Sequence, residues 1–251
     1  MRSAQRDDTS VLGKIMLVLD AFSEGDTELS QRQLIDRTSL SKTTVHRLVG
    51  DLCDRRMLER SGNRFRLGTR LFELGQLVPR ERSLRNAALP FMEDLFEVTH
   101  ETVNLGVLDG LDVLYVEKLS GHRRFAAPTR VAGRMPLHAT AMGKVILAFS
   151  EPSLTERVIE FGLQPKTPYT IVSPKVLRQE VALVARRGVA YDREEVTIGI
   201  ACVAAPIFGR AGKLVAACSV AAPTNRTDPE QLAPTVRTAS LALSRALSQS
   251  L

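Results

Sequence analysis

At 251 residues the chain is longer than one modest domain needs and sufficient for two hydrophobic cores. A hydrophobic fraction of 44% beside 25% charged residues excludes disordered and fibrous classes, while a formal charge of +6 permits a polyanionic partner without requiring one. No run approaches the roughly 18 consecutive apolar residues of a membrane span, and residues 1–8 lack the apolar core of a signal peptide. Cys53, Cys202 and Cys218 are too few and too scattered for a disulfide framework, which fits a reducing compartment. His46, His100, His122 and His138 are equally dispersed, so no metal or cofactor is expected. A cytoplasmic protein without membrane association follows as the expectation.

The first helical stripe is Leu12, Ile15, Met16 and Leu19, with Thr9 or Ser10 as N-cap and an end near Phe22, before Glu24-Gly25-Asp26. A second, short helix opens at Ser30, whose spacing to Gln33 is that of a capping box, and runs through Leu34 and Ile35 to about Thr38. After Ser39-Leu40, Ser41 caps a third helix with Val45, Leu48, Val49 and Leu52 on its apolar stripe. Two short helices across a tight turn have the spacing of a helix-turn-helix, whose second helix enters the major groove of DNA. Ser41 stands at the start of that helix, and Lys42, Thr43, Thr44, His46 and Arg47 fall largely off the stripe. Short hydroxyls and cations there can reach base edges and phosphates. The competing reading is a polar face that is merely solvated.

From Leu58 to Gly68, Ser61-Gly62-Asn63 separates two short alternating segments, the chemistry of a hairpin. Such a wing would lay Arg60, Arg64 and Arg66 along the phosphate backbone, adding salt-dependent affinity rather than sequence reading. Residues 41–70 carry eight Lys or Arg against three acidic residues, a local excess of five.

A helical pattern over 68–78 (Leu71, Leu74, Leu77, Val78) leads to Pro79-Arg80-Glu81-Arg82, read as a break and a domain boundary. A further helix carries Leu84, Ala88, Phe91, Leu95 and Phe96 to about Thr99. Segments 102–108 and 113–118 flank Asp109-Gly110, a strong hairpin signal. Helices are expected over 140–149, 153–161 and 174–187, then a strand over 189–193 and a hairpin of 200–208 with 213–221. A closing helix over 232–247 is entered through Asp228-Pro229. The class is α+β, with helices on one side of a largely antiparallel sheet. The expected division is a winged helix-turn-helix over 1–67, a linker helix over 68–82 and a second domain over 83–251.

The run Ser41-Lys42-Thr43-Thr44-Val45-His46-Arg47-Leu48 with its basic wing resembles the IclR family of bacterial regulators. Two later segments sharpen the resemblance: 136–148, Pro-Leu-His-Ala-Thr-Ala-Met-Gly-Lys-Val-Ile-Leu-Ala, and 188–208, which contains Asp192-Arg193-Glu194-Glu195 and Cys202. Together they carry it over about residues 10–248. The resemblance implies a GAF-like effector domain, assembly as a homodimer or homotetramer, and double-stranded operator DNA as partner. It also implies a small-molecule effector, often a carboxylate or aromatic metabolite, that switches a repressor of a catabolic or metabolic operon. By motif position the pocket would be lined by Ala141, Met142, Asp192, Cys202, Ser219 and Ala221. Amides at the mouth of the helix near Ala141 can receive an anion, and Ser219 can donate a hydrogen bond. Where small-effector members have glycine and a second hydroxyl, this sequence has Met142 and Ala221, which favours a larger or more apolar ligand.

The bland readings stand beside these. Cys202 and Cys218 lie in apolar strands, where a cysteine is usually a small buried hydrophobe, Met142 can be core, and His138 can simply hold a loop. Rival functions are a small enzyme with Cys202 or Ser219 as nucleophile and His138 as base, or a ligand-independent architectural DNA binder. The sequence offers no nucleophile elbow, phosphate loop or group to orient the base, so no catalytic residue is assigned.

Overall fold

The computed structural model describes residues 9–23, 25–120 and 129–250, which fall into two compact units, 1–82 and 83–251. Residues 1–8, Glu24 and His122, which entered the readings above, lie outside the described residues.

In the first unit α1 (Val11–Asp20) is capped by Ser10, whose Oγ accepts from Gly13 N at 2.9 Å. Its buried face is Ile15, Val18 and Leu19; Leu12 and Met16 of the expected stripe are exposed. The helix is apolar nearly all round, so the neighbouring i, i+3, i+4 face was equally eligible for burial. β1 (Leu29–Ser30), two residues long and not foreseen, feeds α2 (Gln31–Thr38) through the expected capping box: Ser30 Oγ accepts from Gln33 N, and Gln33 Oε1 accepts from Ser30 N at 2.9 Å. Ser39, at φ +56°, ends α2 in the left-handed region, and Ser41 starts α3 (Lys42–Asp54). β2 (Leu58–Ser61) and β3 (Arg64–Leu67) form the hairpin, and β1 joins it antiparallel in the order β1-β3-β2. Leu29, Leu34, Val45, Leu48, Leu58 and Phe65 close the core beneath α3.

The linker helix expected over 68–82 is corrected. Helix α4 spans only Thr69–Gly75, and Pro79, where apolar character breaks, is the first residue of α5 (Pro79–Thr99). A proline at that position loses no hydrogen bond, since the first amides of a helix have no partner within it, and its fixed φ is already helical.

The second unit is built on a six-stranded, wholly antiparallel sheet in the order β6-β5-β4-β9-β8-β7. Its strands are β4 (Thr102–Asp109), β5 (Asp112–Leu119), β6 (Arg134–Pro136), β7 (Ala190–Arg193), β8 (Ile200–Phe208) and β9 (Leu214–Pro223). The helices flank both faces, not one. Helices α5 and α9 (Pro229–Ser250) pack on Val103, Leu105, Val203, Ala205 and Val220. Helices α6 (Ala141–Ala148), α7 (Pro152–Phe161) and α8 (Pro174–Arg187) pack on Val113, Tyr115, Ala190, Ala204 and Ala217. That is why β4 is buried at six successive residues and β8 and β9 read as largely apolar runs: a strand covered on both faces has no solvated face to make polar. Gly143 lets α6 seat against the preceding loop, because a Cβ there would lie 2.2 Å from Leu137 O.

Candidate functional site

The outward face of α3 begins with a hydroxyl cluster. Ser41 Oγ caps the helix by accepting from Thr44 N at 3.2 Å, and it lies 3.0 Å from Thr43 Oγ1 and 2.8 Å from Thr44 Oγ1. Lys42, His46 and Arg47 are exposed on the following turn, and Arg47 sits 3.5 Å from Asp51 one turn on. That pair is open to solvent, worth a few tenths of a kcal/mol, and yields readily to a phosphate.

In the wing Gly62 takes φ +56° at the first of two central positions, the place a II′ turn gives to glycine. The three arginines differ. Arg60 lies over the Phe65 ring at 5.1 Å, and Arg66 is paired with Glu59 at 2.9 Å. Arg64, beside the turn, has no side-chain partner among the described residues. It is the cation of the wing most available to an anion. Glu59 also accepts from Thr69 N at 3.1 Å and so ties the wing to the start of α4, a bond that spacing alone does not reveal.

On the helical face of the second unit that carries α6, a cavity opens between α6, the sheet and the loop after β7. Ala141, Met142, Asp192, Cys202, Ser219 and Ala221 all line it. The register explains the grouping: Asp192 pairs with Cys202, Cys202 with Ala221, and Ser219 with Asn104, so side chains from four adjacent strands share one face. Thr140 caps α6, its Oγ1 accepting from Gly143 N at 3.0 Å. The amides of Ala141 and Met142 then have no acceptor among the described residues, and such first-turn amides can receive an anion.

Asn104 and Tyr115, also in the lining, were missed from the sequence. An asparagine inside the apolar strand Thr102–Asp109 was the available signal, since a buried amide needs a partner or a ligand. Asn104 Oδ1 accepts from Thr129 Oγ1 at 3.0 Å. Burial holds the Tyr115 hydroxyl well above its usual range, so it remains a donor. Met142 is both core and lining, buried and reaching toward Gly106.

Asp192 is buried, and burial pushes its carboxyl up to about 7 although the Glu195 amide donates to Oδ1 at 2.7 Å. Behind it Lys144 is buried completely. It donates to Tyr191 O at 2.8 Å and pairs with Glu195 Oε1, whereas Glu195 Oε2 has no hydrogen-bond partner among the described residues. Thr167 and Thr170 donate to the carbonyls of Glu194 and Glu195, each at 2.6 Å, fixing the loop that carries Val196 and Thr197 to the cavity. The segment Asp192–Glu195 is thus a half-buried, bonded turn rather than a solvated one.

His138 holds a loop: Nε2 lies 3.0 Å from Gln164 O, burial lowers its pKa, and it does not line the cavity. Burial raises the Cys202 thiol well above its ordinary range, and Cys218 belongs to the core on the opposite face. A nucleophile and base are therefore not brought together from these residues.

Residues 11–62 match the IclR helix-turn-helix domain, and residues 77–248 match the bacterial transcriptional regulator IclR C-terminal domain. The chain is 34% identical over 240 residues to the HTH-type transcriptional regulator XynR of Escherichia coli (strain K12), covering 93% of this chain and 95% of that protein. It is 28% identical over 220 residues to the transcriptional repressor IclR of the same strain, covering 86% and 80%. Among solved structures, an IclR homolog from Microbacterium hydrocarbonoxydans complexed with 4-hydroxybenzoate superposes with a TM-score of 0.90 at 31% identity, over 96% of this chain and 100% of that one. The Thermotoga maritima IclR gives 0.79 at 29% identity, over 94% and 98%.

Proposed function

This chain belongs to the IclR family of bacterial transcriptional regulators, and we propose that it represses an operator under the control of a small organic acid held in its C-terminal cavity. Residues 1–67 bind DNA in this reading, 68–82 connect, and 83–251 take the effector and self-associate. Ser41, Lys42, Thr43, Thr44, His46 and Arg47 meet base edges and nearby phosphates, while Arg60, Arg64 and Arg66 follow the backbone of the flanking groove. The observation that carries the effector half is the pair of α6 amides without an acceptor among the described residues, in a cavity walled by Met142, Ile200 and Ala221 and edged by Ser219, Tyr115 and Asn104. A carboxylate at the amides, an apolar ring along the wall and a hydroxyl at the polar edge suit it, which is the chemistry of the 4-hydroxybenzoate bound by the Microbacterium homolog.

The protein acts as a binder and not as an enzyme, since the Cys202 thiol stays protonated and His138 is committed to Gln164. It works in the cytoplasm, where operators are. Phe72, Leu77 and Val78 are exposed apolar side chains in and just after α4, and they support self-association of two chains on paired half-sites. The switch is the effector's differential affinity for two arrangements of those half-sites, transmitted through the connecting segment.

The test is a mobility-shift titration on the intergenic DNA beside the protein's own gene, with and without 4-hydroxybenzoate and a panel of aromatic and aliphatic acids. A specific shift altered by an acid is expected. A specific shift that no acid alters would favour an architectural binder, and no specific shift would overturn the operator reading.

A further inference from the structure

We propose that the cavity takes up an anionic ligand together with one proton, held by the Asp192 and Glu195 carboxyls, so that effector affinity falls as pH rises through neutrality. The inference rests on the reading of the cavity as the site of an anionic effector.

It is carried by an imbalance of buried charge. Lys144 is 1% exposed, Asp192 4% and Glu195 6%: two acids and one base, all behind or within one wall. Lys144 is committed to Glu195 Oε1 and to the Tyr191 carbonyl. Asp192 Oδ1 is occupied by the Glu195 amide, and Glu195 Oε2 has no donor among the described residues. The ionisable groups that face Asp192 are Tyr115 from β5, Cys202 from β8, Lys144 from α6 and Glu195 from its own loop; Glu195 also faces Glu180 from α8, whose charge is already matched by Arg187. Among the described residues Lys144 is the one cation that meets the two buried carboxyls, so with both ionised the cluster bears one uncompensated negative charge where water screens it poorly.

A carboxylate entering such a cavity meets repulsion from that charge. Taking one proton from solvent removes the repulsion and turns a carboxylate acceptor at the cavity wall into a hydroxyl donor. Burial already brings Asp192 up to about 7, so the proton is available in the physiological range, and an anionic ligand favours it further.

The experiment is calorimetric titration of the full-length protein with 4-hydroxybenzoate, whose carboxyl stays ionised, between about pH 6 and about pH 8, in buffers of different ionisation heat. The dissociation constant is expected to be about tenfold larger at the upper pH, with proton uptake approaching one per ligand at that end. Asp192→Asn, whose amide mimics the protonated acid, should bind with a pH-independent constant near the wild-type value at the lower pH. Glu195→Gln serves as the second variant should the first not fold, and it too should flatten the profile. Binding by the wild type with one constant at every pH overturns proton uptake while leaving the effector reading intact. Affinity that rises with pH overturns it in favour of an ionised Asp192 accepting from the ligand hydroxyl. Absence of binding at every pH, by 4-hydroxybenzoate and by benzoate, removes the anionic-effector reading and this inference with it.

Discussion

Replacing Lys144 by methionine keeps the volume of the side chain in α6 but strips Glu195 of its counter-charge inside the fold. The cost is capped by the alternative open to Glu195, which is to take a proton. Relative to an unfolded glutamate near 4.3, staying protonated at pH 7 costs about 2.7 units at 1.36 kcal/mol each, close to 4 kcal/mol. Loss of the bond to Tyr191 O adds about 1 kcal/mol. The folded-state pKa of Glu195, already raised by burial, rises further in the variant, so the penalty grows with pH, up to at most about 5 kcal/mol at pH 7 and about 2 at pH 5, less whatever the wild type already bears. Tyr115, Tyr169 and Tyr191 all lie in residues 83–251 and the chain has no tryptophan, so tyrosine fluorescence during urea unfolding follows this unit alone. Lys144→Met with Glu195→Gln should recover most of the loss. Equal destabilisation of Lys144→Met at both pH values, or a double variant no better than the single one, would refute the assignment of the cost to a stranded carboxylate.

Two other perturbations follow from the geometry. Gly143→Ala pushes a methyl group onto Leu137 O and should cost at least about 3 kcal/mol in the same assay, whereas a loss under about 1 kcal/mol would mean that α6 shifts freely. In DNA titrations at several salt concentrations, Arg64→Ala should weaken specific and random DNA alike and lower the salt slope by about 0.9 per headpiece, Arg66→Ala less because Glu59 already holds that side chain, and Arg47→Ala should chiefly remove the preference for operator; equal effects of Arg47→Ala and Arg64→Ala on both DNAs would overturn that division.

The elements with chemical punctuation were legible in the sequence. Ser30 with Gln33, Ser41 before its stripe, Gly62-Asn63 and Asp109-Gly110 each fix a boundary by a local bond or dihedral, and the helices and hairpins stand close to where those signals put them. Pro79 misled because proline is punctuation of two kinds: it breaks a helix from inside and opens one from its first position. Strands of two and three residues, such as β1 and β6, are too short for periodicity to mark. Burial of the sheet on both faces was written in the largely apolar runs of β8 and β9, yet such runs do not say which elements cover them. The resemblance brought six residues to one cavity, while Asn104 and Tyr115 needed strand register, since period 2 gives the face of a residue but not its neighbours across the ladder.

The outermost strands of the sheet, β6 with three residues and β7 with four, are the places where its hydrogen-bond ladder stops. A ladder with such brief margins offers an incoming chain only a few backbone groups to continue it. In the assembly proposed above, copies of this protein would therefore recognise one another by the shape and chemistry of side chains, which selection can adjust residue by residue, rather than by main-chain pairing, which any extended peptide could imitate.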